Sequence, residues 1–279
     1  MSSRFGFVFL VALSLALACT VGFAVAPASY DDGYITYRYA QNLAAGRGLV
    51  LNPGETVLGT SAPGYALVLA GVAFVLRPFG VEVAHVGAGM FLLAMASLPV
   101  LLAGILRRLE TRHPELTACM FALLAIPARW NVELMGCEQV PILALLALAF
   151  LLALSGHDLA AGAAAGIAGA LRNDAGFAIA ALAFALWINR RRIPVRFAVS
   201  ALVPVVAVWS WLLATFGTIL PVSLAGKQAE MEFVHGGYGT AELAWLLRST
   251  SWAAAGTLGV LALAAFLPSR ERRGGGARA

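Results

Sequence analysis

The sequence predicts an all-α, polytopic membrane protein, a transmembrane bundle of about eight helical spans. Three observations carry this reading. Of 279 residues, 61% are hydrophobic and 12% are charged, about half the roughly 25% charged content of a soluble domain. The mean hydropathy is +0.84. Apolar runs long enough to cross a bilayer recur along the chain. Together these exclude a soluble globular domain, a disordered chain and a fibrous repeat. The runs are also continuous, whereas membrane β-barrel strands are ~10 residues of alternating polarity.

The first run, 5–26, follows Arg4. Its end, Ala24-Val25-Ala26, has the form of a signal-peptidase site. Pro27 directly after that site favours a retained first helix. A polar stretch follows to about residue 61, then apolar runs at 62–76, 83–106, 116–128, 140–154, 159–171, 175–188, 197–216 and 249–267. The run 62–76 is short, begins Ala62-Pro63-Gly64 and is closed by Arg77-Pro78. It reads as an interfacial or re-entrant helix rather than a crossing.

Orientation follows from the arginines. Arg107, Arg108 and Arg112, then Arg190, Arg191, Arg192 and Arg196, then Arg270, Arg272, Arg273 and Arg278 occupy three connections. All three are cytoplasmic if eight runs cross and both termini lie inside. The cytoplasmic side then carries 12 Arg against Glu110, Glu115, Asp158 and Glu271, a net +8, and the outer side a net −3. Residues 1–268 are expected to form one transmembrane domain, with a first outer loop at 27–80. Further outer loops fall near 129–139, 172–175 and 217–242, and 269–279 reads as a disordered cytoplasmic tail.

The total charge of +5 does not read as nucleic-acid binding, because the basic residues fall between apolar runs. Cys19, Cys119 and Cys137 lie far apart in or beside apolar segments and are expected to be buried thiols.

Several middle runs are only 13–15 residues long, shorter than the ~20 that span comfortably. Their polar ends are expected to dip below the membrane surface, where ionisable side chains are functional candidates. The first cluster is Tyr30-Asp31-Asp32-Gly33-Tyr34-Ile35, directly after the first helix. Adjacent carboxylates at a membrane edge suit a general base or a cation ligand. They equally suit the cap of a helix running to about Ala45 and stopped by Gly46. Beyond it the chain predicts a short extended piece, a Pro53-Gly54 turn and a Ser/Thr-capped surface helix. Glu230, Glu232 and His235 show no fixed ligand spacing.

The run DDGYITYRYAQNLAAGRGLVLNPGE, followed by GTSAPGYALVLA, resembles the first outer loop of polyprenyl-phosphate-sugar-dependent glycosyltransferases of the GT-C fold. In particular it resembles the bacterial terminal arabinofuranosyltransferase-like branch. Three later segments match in order. Gly136-Cys137-Glu138 resembles the family's Gly-x-Glu signature. Arg172-Asn173-Asp174-Ala175-Gly176 resembles its Arg-Pro-(Asp/Glu)-Gly turn, with Asn173 in place of proline and Ala175 before the glycine. Phe216-Gly217-Thr218-Ile219-Leu220-Pro221-Val222-Ser223 and Lys227 resemble its Phe-Gly-x-x-Leu-Pro-x-(Ser/Thr) segment and following lysine, with Gly226 between Ala225 and Lys227.

The resemblance, which covers residues 1 to about 230, implies a GT-C-like bundle. Its activity would be inverting transfer of a sugar from a polyprenyl-phosphate donor to a glycan, glycolipid or protein acceptor hydroxyl. The site would face the outer, periplasmic side of the bacterial cytoplasmic membrane. It implies Asp31 or Asp32 as general base and Lys227, Arg172 and Arg38 as donor-phosphate ligands. Glu138, Asp174 and Tyr34 would position substrate. A divalent cation on Asp31 and Asp32 is left open by the resemblance. The competing readings are a non-catalytic subunit that binds or translocates polyprenyl-linked sugar, and a truncated inactive paralogue. A secondary transporter would place charges near helix midpoints, and here they cluster at helix ends.

Overall fold

The computed structural model describes residues 3–25, 31–128 and 134–222. Among them every regular element is helical: α1 (Ser3–Val25), α2 (Asp31–Ala44), α3 (Pro63–Leu76), α4 (Val83–Arg108), α5 (Pro114–Ala125), α6 (Gln139–Leu154), α7 (Asp158–Leu171), α8 (Gly176–Arg190) and α9 (Val195–Phe216). Short 3-10 turns, Arg77–Phe79 and Asn173–Ala175, precede α4 and α8.

Three helices are long and apolar enough to cross a membrane, over Arg4–Ala24, Val83–Arg108 and Val195–Phe216. Their outward faces carry fully apolar side chains such as Phe23, Leu93 and Val203, all exposed. Apolar surface on that scale requires lipid or a partner to cover it, and the class defined is a helical membrane protein. Between the long helices, α5, α6, α7 and α8 are 12 to 16 residues long. At 1.5 Å per residue they rise only about 18–24 Å, less than the long helices.

Successive helices from α4 to α9 alternate in direction, which separates two ends of the bundle. At one end Arg107 pairs with Glu115 across the α4–α5 turn, and Arg190 at the end of α8 grips Asp158 at the start of α7. The arginines at 107–112 and 190–196 therefore gather there. A core of Ala149, Ala153, Ala161, Ala165, Leu182, Phe197 and Ala201 lies above them.

Small residues set the closest packing in this half. A Cβ at Gly162 or Gly166 would strike the backbone carbonyls of Phe197 and Ala201. This small-xxx-small stripe lets α7 lie directly on α9, as in membrane helix pairs.

At the other end one core unites Tyr37, Tyr39, Ala62, Tyr65, Ala73, Val83, Ala168, Leu171 and Ala175, with Leu76 and Phe216 against it. Both ends of α3 belong to this cluster, together with the start of α4 and the ends of α7 and α9. The helix therefore lies across this end of the bundle. Its N-cap is Ala62, with no side-chain cap, which corrects the expected Ser/Thr cap. Pro63 in the first turn removes a donor that would need one. Thr60 is occupied elsewhere, bonding the Thr36 hydroxyl and accepting from the Ala62 N–H. Helix α1 packs into the bundle through Val21, beside Phe91, Ala122 and Val140. Of the cysteines only Cys137 is buried; Cys19 is exposed on α1, against the expectation.

Candidate functional site

Helix α2 organises the end of the bundle to which α3 belongs. Gly46 ends it at φ 76°, a left-handed conformation that glycine adopts without strain. The buried Asn42 amide then holds the returning chain, donating to the carbonyls of Val50 (2.7 Å) and Leu51 (2.9 Å) and accepting from Arg47 Nε (3.0 Å). One turn earlier the Tyr39 hydroxyl donates to the Val57 carbonyl (2.7 Å) and accepts from the Gly59 N–H (2.8 Å). Burial raises the pKa of this phenol, while its bond from Gly59 partly opposes that shift. The loop 45–61 is thereby laid along α2 as an irregular strap, without the extended piece expected from its sequence.

The other side of α2 docks through Tyr37. Its hydroxyl fits between Gly87 of α4 and Gly136, where a Cβ at either position would collide with it. Gly136 has φ 83°, and its carbonyl accepts a 3.0 Å bond from Tyr65 of α3. The turn leading to Glu138 is thus clamped between α2 and α3. Gly64 likewise lets the start of α3 approach the Ala170 carbonyl, with Leu171 Cα 2.9 Å from where its Cβ would stand. That contact brings the α3 N-terminus against the residue preceding Arg172.

Glu138, at the N-terminus of α6, meets Arg172, which caps the C-terminus of α7. Each charge suits the partial charge of its helix end. Arg172 Nη1 donates to Glu138 Oε1 at 2.5 Å, and its Nε donates to Asp174 Oδ2 at 2.8 Å. The side chains are graded in exposure: Glu138 is 6% exposed, Arg172 28% and Asp174 58%. Burial alone would lower the Arg172 pKa; Glu138 and then Asp174 more than offset it and hold the guanidinium above its ordinary range.

Asn173, in the turn between α7 and α8, is a junction. Its amide donates to the Ile219 carbonyl (3.0 Å) and its oxygen accepts from the Trp209 indole (2.9 Å). The segment after α9 is fixed a second time where the Val222 N–H donates to the Leu58 carbonyl (2.8 Å). Four segments far apart in sequence, 31–61, 136–138, 172–174 and 217–222, are therefore connected at one place.

Asp31 and Asp32 are the first two residues of α2, and their side chains lie outside the described residues. Six residues of helix put Asp31 about 9 Å along the axis from Tyr37. Tyr34 is exposed and meets Tyr37 edge-on, with ring centroids 5.8 Å apart. Arg38 is exposed on α2. Lys227, Glu230, Glu232, His235 and the apolar run 249–267 lie outside the described residues. No group of three or more His, Cys, Asp or Glu gathers among the described residues.

Sequence reasoning missed Tyr65, Trp209 and the junction role of Asn173. An indole and an amide 36 residues apart carry no local signal of their pairing. A Gly64 directly after Pro63 at a helix start was the one legible hint of a close approach.

Comparison with protein-family models, with curated proteins and with solved structures gives no match for this chain.

Proposed function

We propose that the protein is a GT-C-type membrane glycosyltransferase that moves a sugar from a polyprenyl-phosphate donor to an acceptor hydroxyl on the outer face of the cytoplasmic membrane. The observation that carries this reading is the joining of four motif-bearing segments at one end of the bundle, opposite the arginine-rich end. With the basic end cytoplasmic, helices α1 and α4–α9 cross seven times in this reading; the eighth crossing expected from the sequence, at 249–267, lies outside the described residues. Helix α3 then rests at the outer surface.

In the proposed step, the acceptor oxygen attacks the anomeric carbon as the bond to the phosphate oxygen breaks. The acceptor proton passes to a carboxylate at the start of α2, with Asp31 favoured and Asp32 the alternative. Polyprenyl phosphate leaves with the bonding electron pair, so positive groups must offset its charge.

Arg172 is already shared between Glu138 and Asp174, and that trio carries a formal net charge of −1. Its role in this reading is to hold the two carboxylates for sugar or acceptor hydroxyls. Neutralising the phosphate then falls to Lys227 and Arg38. A divalent cation, if the reaction uses one, would be held by Asp31 and Asp32 and would supply further phosphate neutralisation.

The test is transfer or slow donor hydrolysis by the full chain in liposomes, given radiolabelled polyprenyl-phosphate sugars with and without chelator. Asp31→Asn or Asp32→Asn is expected to abolish turnover while leaving the protein inserted, and Lys227→Ala to weaken donor binding. Wild-type transfer by both aspartate variants would remove the carboxylate role. Saturable donor binding without turnover would replace the enzyme by a binding subunit.

A further inference from the structure

The basic end of the bundle holds a feature the proposed chemistry does not use. A cleft of about 540 Å³ opens between α1, α4 and α5, lined by Arg4, Phe7, Arg107, Pro114 and Glu115. Arg107 is fixed there from two directions. Its Nε and Nη2 both donate to Glu115 Oε1, at 2.8 and 2.7 Å. Its guanidinium also lies over the Phe7 ring, 4.9 Å from the centroid, a cation–π contact. Arg4 stands one helical turn before Phe7, on the same face of α1.

Burial raises the Glu115 pKa, but its bonds from Arg107 prevail and hold it below the ordinary carboxylate range. The carboxylate therefore stays ionised at neutral pH, and the lining carries a formal net charge of +1. Arg108 and Arg112 follow directly in the chain. Two of Arg107's three nitrogens are committed to Glu115, which fixes the plane of the guanidinium.

The cleft sits where two membrane helices terminate, since Arg4 lies in the first turn of α1 and Arg107 in the last turn of α4. That is the depth of the lipid headgroups. Apolar side chains are exposed on the adjoining helices, Val8 and Phe9 on α1 and Leu116 and Met120 on α5. A ligand matching this site is anionic at one end and aliphatic at the other.

We propose that the cleft is a headgroup site for an anionic glycerophospholipid, with the phosphate held between Arg4 and Arg107 and the acyl chains along α1 and α5. Basic pockets between membrane helices recognise such headgroups through the same combination of charge and depth. Arg107 is pre-organised by Phe7 and Glu115, so little side-chain freedom is lost on binding. Arg4 is the exposed partner that completes the clamp.

The test measures lipid adducts on the full chain in neutral detergent by native mass spectrometry, titrating phosphatidylglycerol or phosphatidylcholine. Phosphatidylglycerol is expected to bind more tightly than phosphatidylcholine. Arg4→Gln, an exposed substitution that keeps the Arg107–Glu115 pair, is expected to weaken phosphatidylglycerol binding about five-fold and to leave phosphatidylcholine unchanged. Arg47→Gln, at the opposite end, is expected to change neither. Inorganic phosphate at millimolar concentration is expected to leave the lipid bound. Equal affinity for the two lipids, or no effect of Arg4→Gln, would overturn the proposal. So would displacement of the lipid by phosphate alone, which would make the cleft a free-anion site.

Discussion

Replacing Arg172 by Gln removes the only cation that pairs with Glu138 among the described residues. The carboxylate it leaves is 6% exposed and had a 2.5 Å bond to Arg172 Nη1. Breaking a fully buried pair by removing one partner costs about 3–5 kcal/mol. Arg172 itself is 28% exposed, so water screens part of the interaction. The expected cost therefore falls to or below the bottom of that range, about 2–3 kcal/mol. Glu138→Gln costs less, about 1–2 kcal/mol, because Gln still offers Arg172 an acceptor and Asp174 still balances its charge. Asp174→Asn costs at most about 1 kcal/mol, since that carboxylate is 58% exposed.

The double variant Arg172→Gln with Glu138→Gln leaves no buried charge and is expected to be more stable than Arg172→Gln alone. The assay is reversible unfolding in mixed detergent micelles, followed by helical circular dichroism, with wild type, Arg172→Gln, Glu138→Gln and the double variant in a thermodynamic cycle and Asp174→Asn measured alongside. Two results refute the reasoning. One is an Asp174→Asn cost equal to that of Arg172→Gln. The other is a double variant no more stable than Arg172→Gln, which would mean that the trio stabilises through shape and not through charge.

Two further outcomes follow from single contacts. Asn173→Ala strands the Trp209 indole N–H and the Ile219 carbonyl and is expected to cost about 1–3 kcal/mol. Asn173→Pro replaces neither bond and should cost a similar amount; hydrogen exchange at 217–222 would report the loosened segment. At the opposite end, the folded pKa of Glu115 is lowered below its ordinary 4.5. The pair's stabilisation is therefore complete above that value and lost as pH falls through the lowered one. Glu115→Gln should flatten that part of the acid-unfolding profile, and an unchanged profile would exclude the Arg107–Glu115 pair as its source.

Much of the fold was legible because a membrane helix writes its own signal. The expected run 62–76 corresponds to Pro63–Leu76, 140–154 to Gln139–Leu154 and 197–216 to Val195–Phe216. The stop of α2 at Gly46 was legible because left-handed backbone favours glycine. The expected cap of α3 was not, because Thr36, in a different helix, occupies Thr60. The motifs at Glu138, Arg172 and Asp174 were readable as three separate polar helix ends. Their union in one ion-paired trio was not, since 34 residues separate Glu138 from Arg172.

The sequence by itself determined the class of protein, the positions of the described helices and the arginine-rich connections. Each depends on residues close together in the chain: hydropathy over one span, a glycine at one turn, arginines in one loop. Tertiary structure alone decided which helix ends meet. It set Tyr37 into the space left by Gly87 and Gly136, gave Asn173 its two partners, and shared Arg172 between two carboxylates of unequal exposure. Those outcomes depend on how closely helix backbones approach, and that distance is fixed by small residues on partners remote in sequence, such as Gly64 against Ala170 and Gly166 against Ala201.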